Sequence, residues 1–341
     1  MIFLTGDVHN SVLTQDIEHA QVDEPTAALK YAQMAADLGV KVTFFATGTV
    51  VRDRTKDFQS MLTLGNVELG GHGWDAFRWP RQRTALWCAF GSRFGPKWFQ
   101  WLEIDRTMKA FQSGLGITPV AWRGHAYYTD QNTYPLLSAS GIRLVSDRNV
   151  AAPFSGKAWA HQEIAEIRPS LWSLPINTTP DHDGFAHGGV TQDAVDTAMR
   201  KRTMMDRPEG DIGSLRRGQI AGYLRRAIQP FSAIDVMPWS GDILYQNTRM
   251  ELATPESWER RLMYQIEERV AAVGFATLLL HPVCMWTLDN FVTLKRILAF
   301  CSRFPTDVTT AALDRIRRTA PSRHVDVDDP TPFGSPSMMD K

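Results

Sequence analysis

The sequence predicts an α/β fold of the (β/α)-barrel class, with insertions on the face formed by the C-terminal ends of the strands. Two observations carry this expectation. Short apolar runs recur along the 341 residues and alternate in several places with segments of helical period, and such alternation builds a parallel sheet with crossover helices. Most of these runs also lead at once into Gly, Asp, His or Arg, and the C-terminal strand ends are where a βα barrel gathers its site.

Taken in order, Ile2–Leu4 is the first candidate strand and precedes Asp7. The amphipathic segment Pro25–Leu38 follows, then Val40–Ala46 before Thr47-Gly48, and Val67–Leu69 before Gly71-His72. Val120–Trp122 precedes Arg123-Gly124-His125, and the helical segment Thr133–Ser140 leads to Ile142–Val145 before Asp147. Leu171–Ile176 precedes Asp181-His182-Asp183. After the helical Glu256–Val273, Phe275–Leu280 precedes His281, and Asn290–Cys301 completes the alternation. That makes seven candidate strands. Two stretches fit poorly: Phe77–Ile104, rich in Trp and Arg, and His187–Arg249, with basic helical runs such as Leu215–Ile228. Both read as insertions on the site-bearing face, the first suited more to packing than to binding. The barrel is expected over residues 1–318, and residues 319–341, rich in Pro, Ser and Asp, are expected to form a flexible tail.

Composition excludes several classes. With 43% hydrophobic and 22% charged residues the chain is neither disordered nor fibrous. Lys plus Arg and Asp plus Glu both number 37, so no net field would concentrate nucleic acid. Three dispersed cysteines without a C-x-x-C pair argue against a disulfide framework or a Cys-ligated zinc. The N-terminus reads as a strand without a basic secretion leader, and no apolar stretch reaches membrane-spanning length, so a cytoplasmic protein is expected.

Three constellations could carry chemistry. Asp7-Val8-His9 can turn a carboxylate and an imidazole toward one cavity. His72 and Asp75, three apart, share a face and could both reach a metal. Asp181-His182-Asp183 is a dense ionisable cluster after the sixth run. Each alone is also compatible with a solvated turn or a cap.

The segment Gly39-Val40-Lys41-Val42-Thr43-Phe44-Phe45-Ala46-Thr47-Gly48 resembles the second strand of the polysaccharide deacetylase family, carbohydrate esterase family 4. Glu68-Leu69-Gly70-Gly71-His72-Gly73-Trp74 is similar to that family's histidine motif. Arg123, with Tyr127, Asn132 and Gly141 beyond it, resembles the arginine motif, and Ala276–Pro282 the last strand ending in histidine. The resemblance covers residues 1–150 and 270–305 and implies a distorted (β/α)7-type barrel. It also implies roles. Asp7 would be the general base, Arg123 would hold it, and His281 would be the general acid. His9 and His72 would bind a divalent metal, zinc by expectation, with Asp75 as third ligand. His125, Asp181, His182 and Asp183 would contact substrate, or one of them would complete the metal shell. Val8 and Ala76 stand where the family places metal ligands, and Gly124-His125 replaces its proline-containing continuation.

The reaction so implied is hydrolysis of a non-peptide C–N bond, removing an N-acetyl or N-formyl group from an amino sugar or sugar precursor. Val8 and Ala76 favour a rival, a metal-independent cyclic-amide hydrolase. A non-catalytic saccharide-binding barrel is the other alternative, opposed by the presence of Asp7, Arg123 and His281 together.

Overall fold

A computed structural model of the chain describes residues 1–9, 22–75, 96–125, 129, 132–147, 163–181 and 255–319. Among these, nine strands join one curled sheet. Strand β1 (Ile2–Val8) lies between β2 (Val42–Ala46) and β8 (Ala276–Leu279), and β9 (Thr306–Asp307) pairs with the start of β1. Beyond β2 the sheet continues through β3 (Val67–Gly71), β4 (Ala121–Trp122), β5 (Leu144–Val145) and β7 (Leu171–Ser173) to β6 (Ala165–Arg168) at the edge. Each of the seven apolar runs overlaps one of these strands.

The pleat divides the strands into two faces, because successive side chains point to opposite sides. Leu4 and Val8 of β1, Val42, Phe44 and Ala46 of β2 and Leu69 of β3 pack in an outer core. That core is covered by α1 (Glu24–Asp37), α3 (Thr55–Thr63), α6 (Pro255–Val273), α7 (Pro282–Asp289) and α8 (Val292–Cys301), with α2 (Gly48–Asp53) beside α3. The alternate residues Phe3, Phe45, Ala121, Leu144 and Phe275, with Leu174, form an inner apolar floor. Counting onward from that floor in steps of two gives Thr5 and Asp7 on β1 and His9 just after it, Arg123 after β4, Ser146 after β5 and His281 after β8. The same periodicity that buries the floor therefore aims these polar side chains inward, above it.

Helix α1 begins where the sequence says it should. The Asp23 carboxylate accepts from Thr26 N at 2.9 Å, Pro25 occupies the first turn, and Glu24 places a charge favourable to the helix dipole there. Sheet closure relies on side chains: Asn177 Nδ2 donates to Phe275 O at 3.2 Å, Asn177 Oδ1 accepts from Thr277 N at 2.8 Å, and Thr178 Oγ1 donates to Thr277 O at 2.9 Å. The segment after β7 is thereby tied to β8.

Three expectations need correction. The sheet is not wholly parallel, since β6 and β7 form an antiparallel edge pair joined through Ser170 at φ 64°. Strand β1 runs on to Val8, so Asp7 lies within the strand and not after it, and the strand's alternation puts Asp7 and the next residue but one, His9, on one side. Residues 97–104 of the supposed first insertion open a 19-residue crossover helix, α4 (Lys97–Leu115). Its buried positions Gln100, Ile104, Thr107 and Phe111 keep helical period, but two of them are polar, which hid the stripe. The rest of that insertion, Leu215–Ile228 and residues 320–341 fall outside the described residues. Among the described residues no helix is long and apolar enough to cross a membrane.

Candidate functional site

Parallel ladders carry four of the expected residues to one place. His72 N donates to Ala46 O at 3.0 Å and Arg123 N to Gly71 O at 2.9 Å, so both residues continue strand pairing just beyond β3 and β4. Asp7 is the meeting point. Arg123 Nη1 donates to Asp7 Oδ1 at 2.8 Å, while His72 Nε2 and His281 Nε2 each lie 3.6 Å from Asp7 Oδ2.

Arg123 is fully buried and held on every side: Nη2 donates to Thr5 Oγ1 and to Ser146 Oγ, both at 2.9 Å, and Nε donates to Ser146 O at 2.6 Å. Its guanidinium lies 4.3 Å from the centroid of Phe45, resting on the apolar floor. Burial alone would raise the Asp7 pKa, but the Arg123 guanidinium first and the protonated His281 after it outweigh that effect and hold the carboxyl well below its usual range. Asp7 is thus a fixed carboxylate with one oxygen clamped and the other facing two imidazoles.

Those two imidazoles are held in opposite protonation states. Burial pushes the His72 pKa down to about 3 despite Asp7, so the ring is neutral. Its Nδ1–H donates to Arg123 O at 2.8 Å, which leaves the Nε2 lone pair for the cavity; buried Nε2 has no hydrogen-bond partner among the described residues. Burial also opposes charge on His281, but there the Asp181 and Asp7 carboxylates prevail and raise its pKa to about 10. His281 Nδ1 donates to Asp181 Oδ1 at 2.7 Å, and its backbone N donates to Asp181 Oδ2 at 2.5 Å.

Both Asp181 oxygens therefore face His281, and Asp181 is fully buried. Its expected role as a substrate contact gives way to one as the partner of His281; the sequence could not reveal a bond that spans 100 positions. His182 and Asp183 lie outside the described residues.

His9 joins the other side of the site. The rings of His9, His72 and His125 have centroids 5.0, 5.3 and 5.5 Å apart, and one nitrogen from each lies within 4.8 Å of the others. Three imidazoles converging from the ends of β1, β3 and β4 are a donor set that suits a divalent ion such as zinc, and the bare buried Nε2 of His72 fits a ligand atom. His125, expected to touch substrate, is thus the third member of this group. Asp75, expected as third ligand, belongs to neither potential cation group among the described residues, and its charge acts on Arg52 instead. The second such group, Asp181, His281 and Cys284, is already occupied by the bonds between Asp181 and His281. Glu24, whose Oε1 lies 3.1 Å from His9 Nδ1, escaped the sequence reading because it looked like an ordinary first-turn acid.

No family model and no curated protein matches the chain. Solved structures do match it. A protein from Mycobacterium smegmatis described as a polysaccharide deacetylase aligns over 95% of this chain and 93% of its own, with a TM-score of 0.60 and 14% identity. The chain has the polysaccharide deacetylase fold. A family 4 carbohydrate esterase from Streptomyces lividans aligns over 88% of both chains at a TM-score of 0.42 and 12% identity. A peptidoglycan deacetylase from Bacillus subtilis aligns over 93% of this chain and 91% of its own, at 0.45 and 13%. At such identities the polysaccharide deacetylase fold explains where strand ends meet, and the chemistry has to be argued from the residues that stand there.

Proposed function

We propose that the chain hydrolyses a C–N amide bond in a metal-dependent reaction, releasing an acetyl or formyl group from an amino sugar or sugar precursor. The observation that carries this reading is the position of Asp7 Oδ2, 3.6 Å from both a neutral and a protonated imidazole. The Mycobacterium smegmatis protein of the same fold is described as acting on polysaccharide, which supports the substrate class. His9, His72 and His125 would hold the ion. A divalent ion bound there supplies a water of lowered pKa and polarises the acyl oxygen.

The remaining work falls to the chain's own groups. Asp7 Oδ2 accepts the proton of the attacking water, and Arg123 keeps that carboxylate ionised and fixed in direction. His281 Nε2–H then donates to the departing nitrogen, which cannot leave as an amide anion. Asp181 keeps the His281 ring oriented and charged for that step.

The test is a panel of N-acetyl and N-formyl amino sugars, assayed for acetate or formate release by the purified chain. Release should stop on chelation, return with zinc and vanish in Asp7→Asn. Full activity in metal-free protein would favour the cyclic-amide hydrolase reading. No turnover across the panel, with saccharide binding unchanged in Asp7→Asn, would favour a binding barrel.

A further inference from the structure

Glu24 sits in the first turn of α1, on the far side of residues 10–21 from His9, and the fold brings the two back together. The carboxylate is fully buried, and its Oε1 lies 3.1 Å from His9 Nδ1. Taking a carboxylate out of water is costly, so its burial beside this ring calls for a reason. The neighbouring histidine supplies one. His72 directs Nε2 into the cavity because its Nδ1–H is committed to a backbone carbonyl, and His9 has the matching arrangement with Glu24 as acceptor. An imidazole that binds a metal through one nitrogen is oriented, and made more basic, by a carboxylate on the other. A set of three imidazoles also carries no negative charge of its own, and Glu24 places one directly behind the set.

We propose that Glu24 is a positioning residue for the cation of the His9, His72 and His125 group. It fixes His9 as the Nδ1–H tautomer and places, behind that ring, a carboxylate that a set of three imidazole ligands lacks. The proposal rests on the metal-dependent reading given above. It goes beyond that reading because Glu24 is outside the imidazole group and acts through His9.

The experiment is zinc affinity of the full chain, measured by competition with a chromophoric chelator, together with the visible spectrum of the cobalt(II)-loaded protein. Glu24→Gln keeps shape and an acceptor while removing charge. It should weaken zinc binding by about 10–100-fold and shift the cobalt(II) absorption, while the melting temperature of the metal-free protein stays near that of the parent. Glu24→Ala removes the acceptor as well and should weaken binding at least as much. Zinc affinity within twofold of the parent for either variant, with the cobalt(II) spectrum unchanged, would overturn the role of Glu24 and leave the metal-dependent reading standing. A parent chain that binds no zinc at all would overturn both.

Discussion

At the residue scale, the site is built from two charge pairs whose members have different duties. Asp7 is clamped through one oxygen and works through the other, so Asp7→Asn should lower kcat by about 100-fold to 10,000-fold while the protein stays folded. The fold survives in that variant because Arg123 keeps its bonds to Thr5 and Ser146. Turnover and saccharide binding, measured on the same preparation, separate the two effects. Asp181→Asn acts differently. With the carboxylate gone, burial is left as the main influence on His281, and burial lowers an imidazole pKa. The acid would then lose its proton at lower pH, and the alkaline limb of kcat/KM should move down from near 10 by more than about one unit. An unmoved limb would show that His281 is not the group titrating there. Sequence reading found both residues but gave Asp181 to the substrate, because a strand-end acid looks the same whether it faces the cavity or an adjacent imidazole.

At the element scale, the strands were legible because each is short, apolar and punctuated, and the pleat makes their inward residues predictable. The crossover helix α4 and the edge strand β6 were not. Gln100 and Thr107 interrupt the apolar stripe of the helix, and the strand is only four residues long, with Ala165 and Ile167 as its whole apolar face between Glu166 and Arg168. Glycine at the inward position 70 of β3 has a specific cause: a Cβ there would lie 2.5 Å from the Phe45 ring and 3.0 Å from Ala121 O. Phe45 in turn carries the Arg123 guanidinium. Gly70→Ala should therefore destabilise the protein by about 1–3 kcal/mol through overpacking and also reduce kcat, since the floor beneath the Asp7 clamp has to move. Urea denaturation and turnover check the two halves; an unchanged midpoint with normal activity would count against the floor's part in holding Arg123.

At the scale of the whole molecule, His9 and His72 were legible as a pair of candidate ligands, but the third member of their group was not singled out, because the departure at Ala76 removes the local pattern and His125 comes from a different strand end. The consequence is thermodynamic. Ligands contributed by β1, β3 and β4 come together only when the sheet is assembled, so an ion held by them binds the native state far better than the unfolded chain. Linkage then sets the gain: free zinc at about 100 times its dissociation constant should stabilise the fold by about 2.7 kcal/mol, and each further tenfold by about 1.4 kcal/mol. The melting temperature of the metal-stripped protein should rise steadily with the logarithm of zinc concentration once the site is saturated. His72→Ala takes away a buried Nε2 that has no hydrogen-bond partner among the described residues, and its melting temperature should be nearly insensitive to zinc. Asp75→Ala, which alters an acid outside the imidazole group, should respond to zinc as the parent does. A thermal-shift titration of the three proteins decides the matter, since a flattened response in Asp75→Ala would return that residue to the ligand set and a full response in His72→Ala would remove the imidazole group from it.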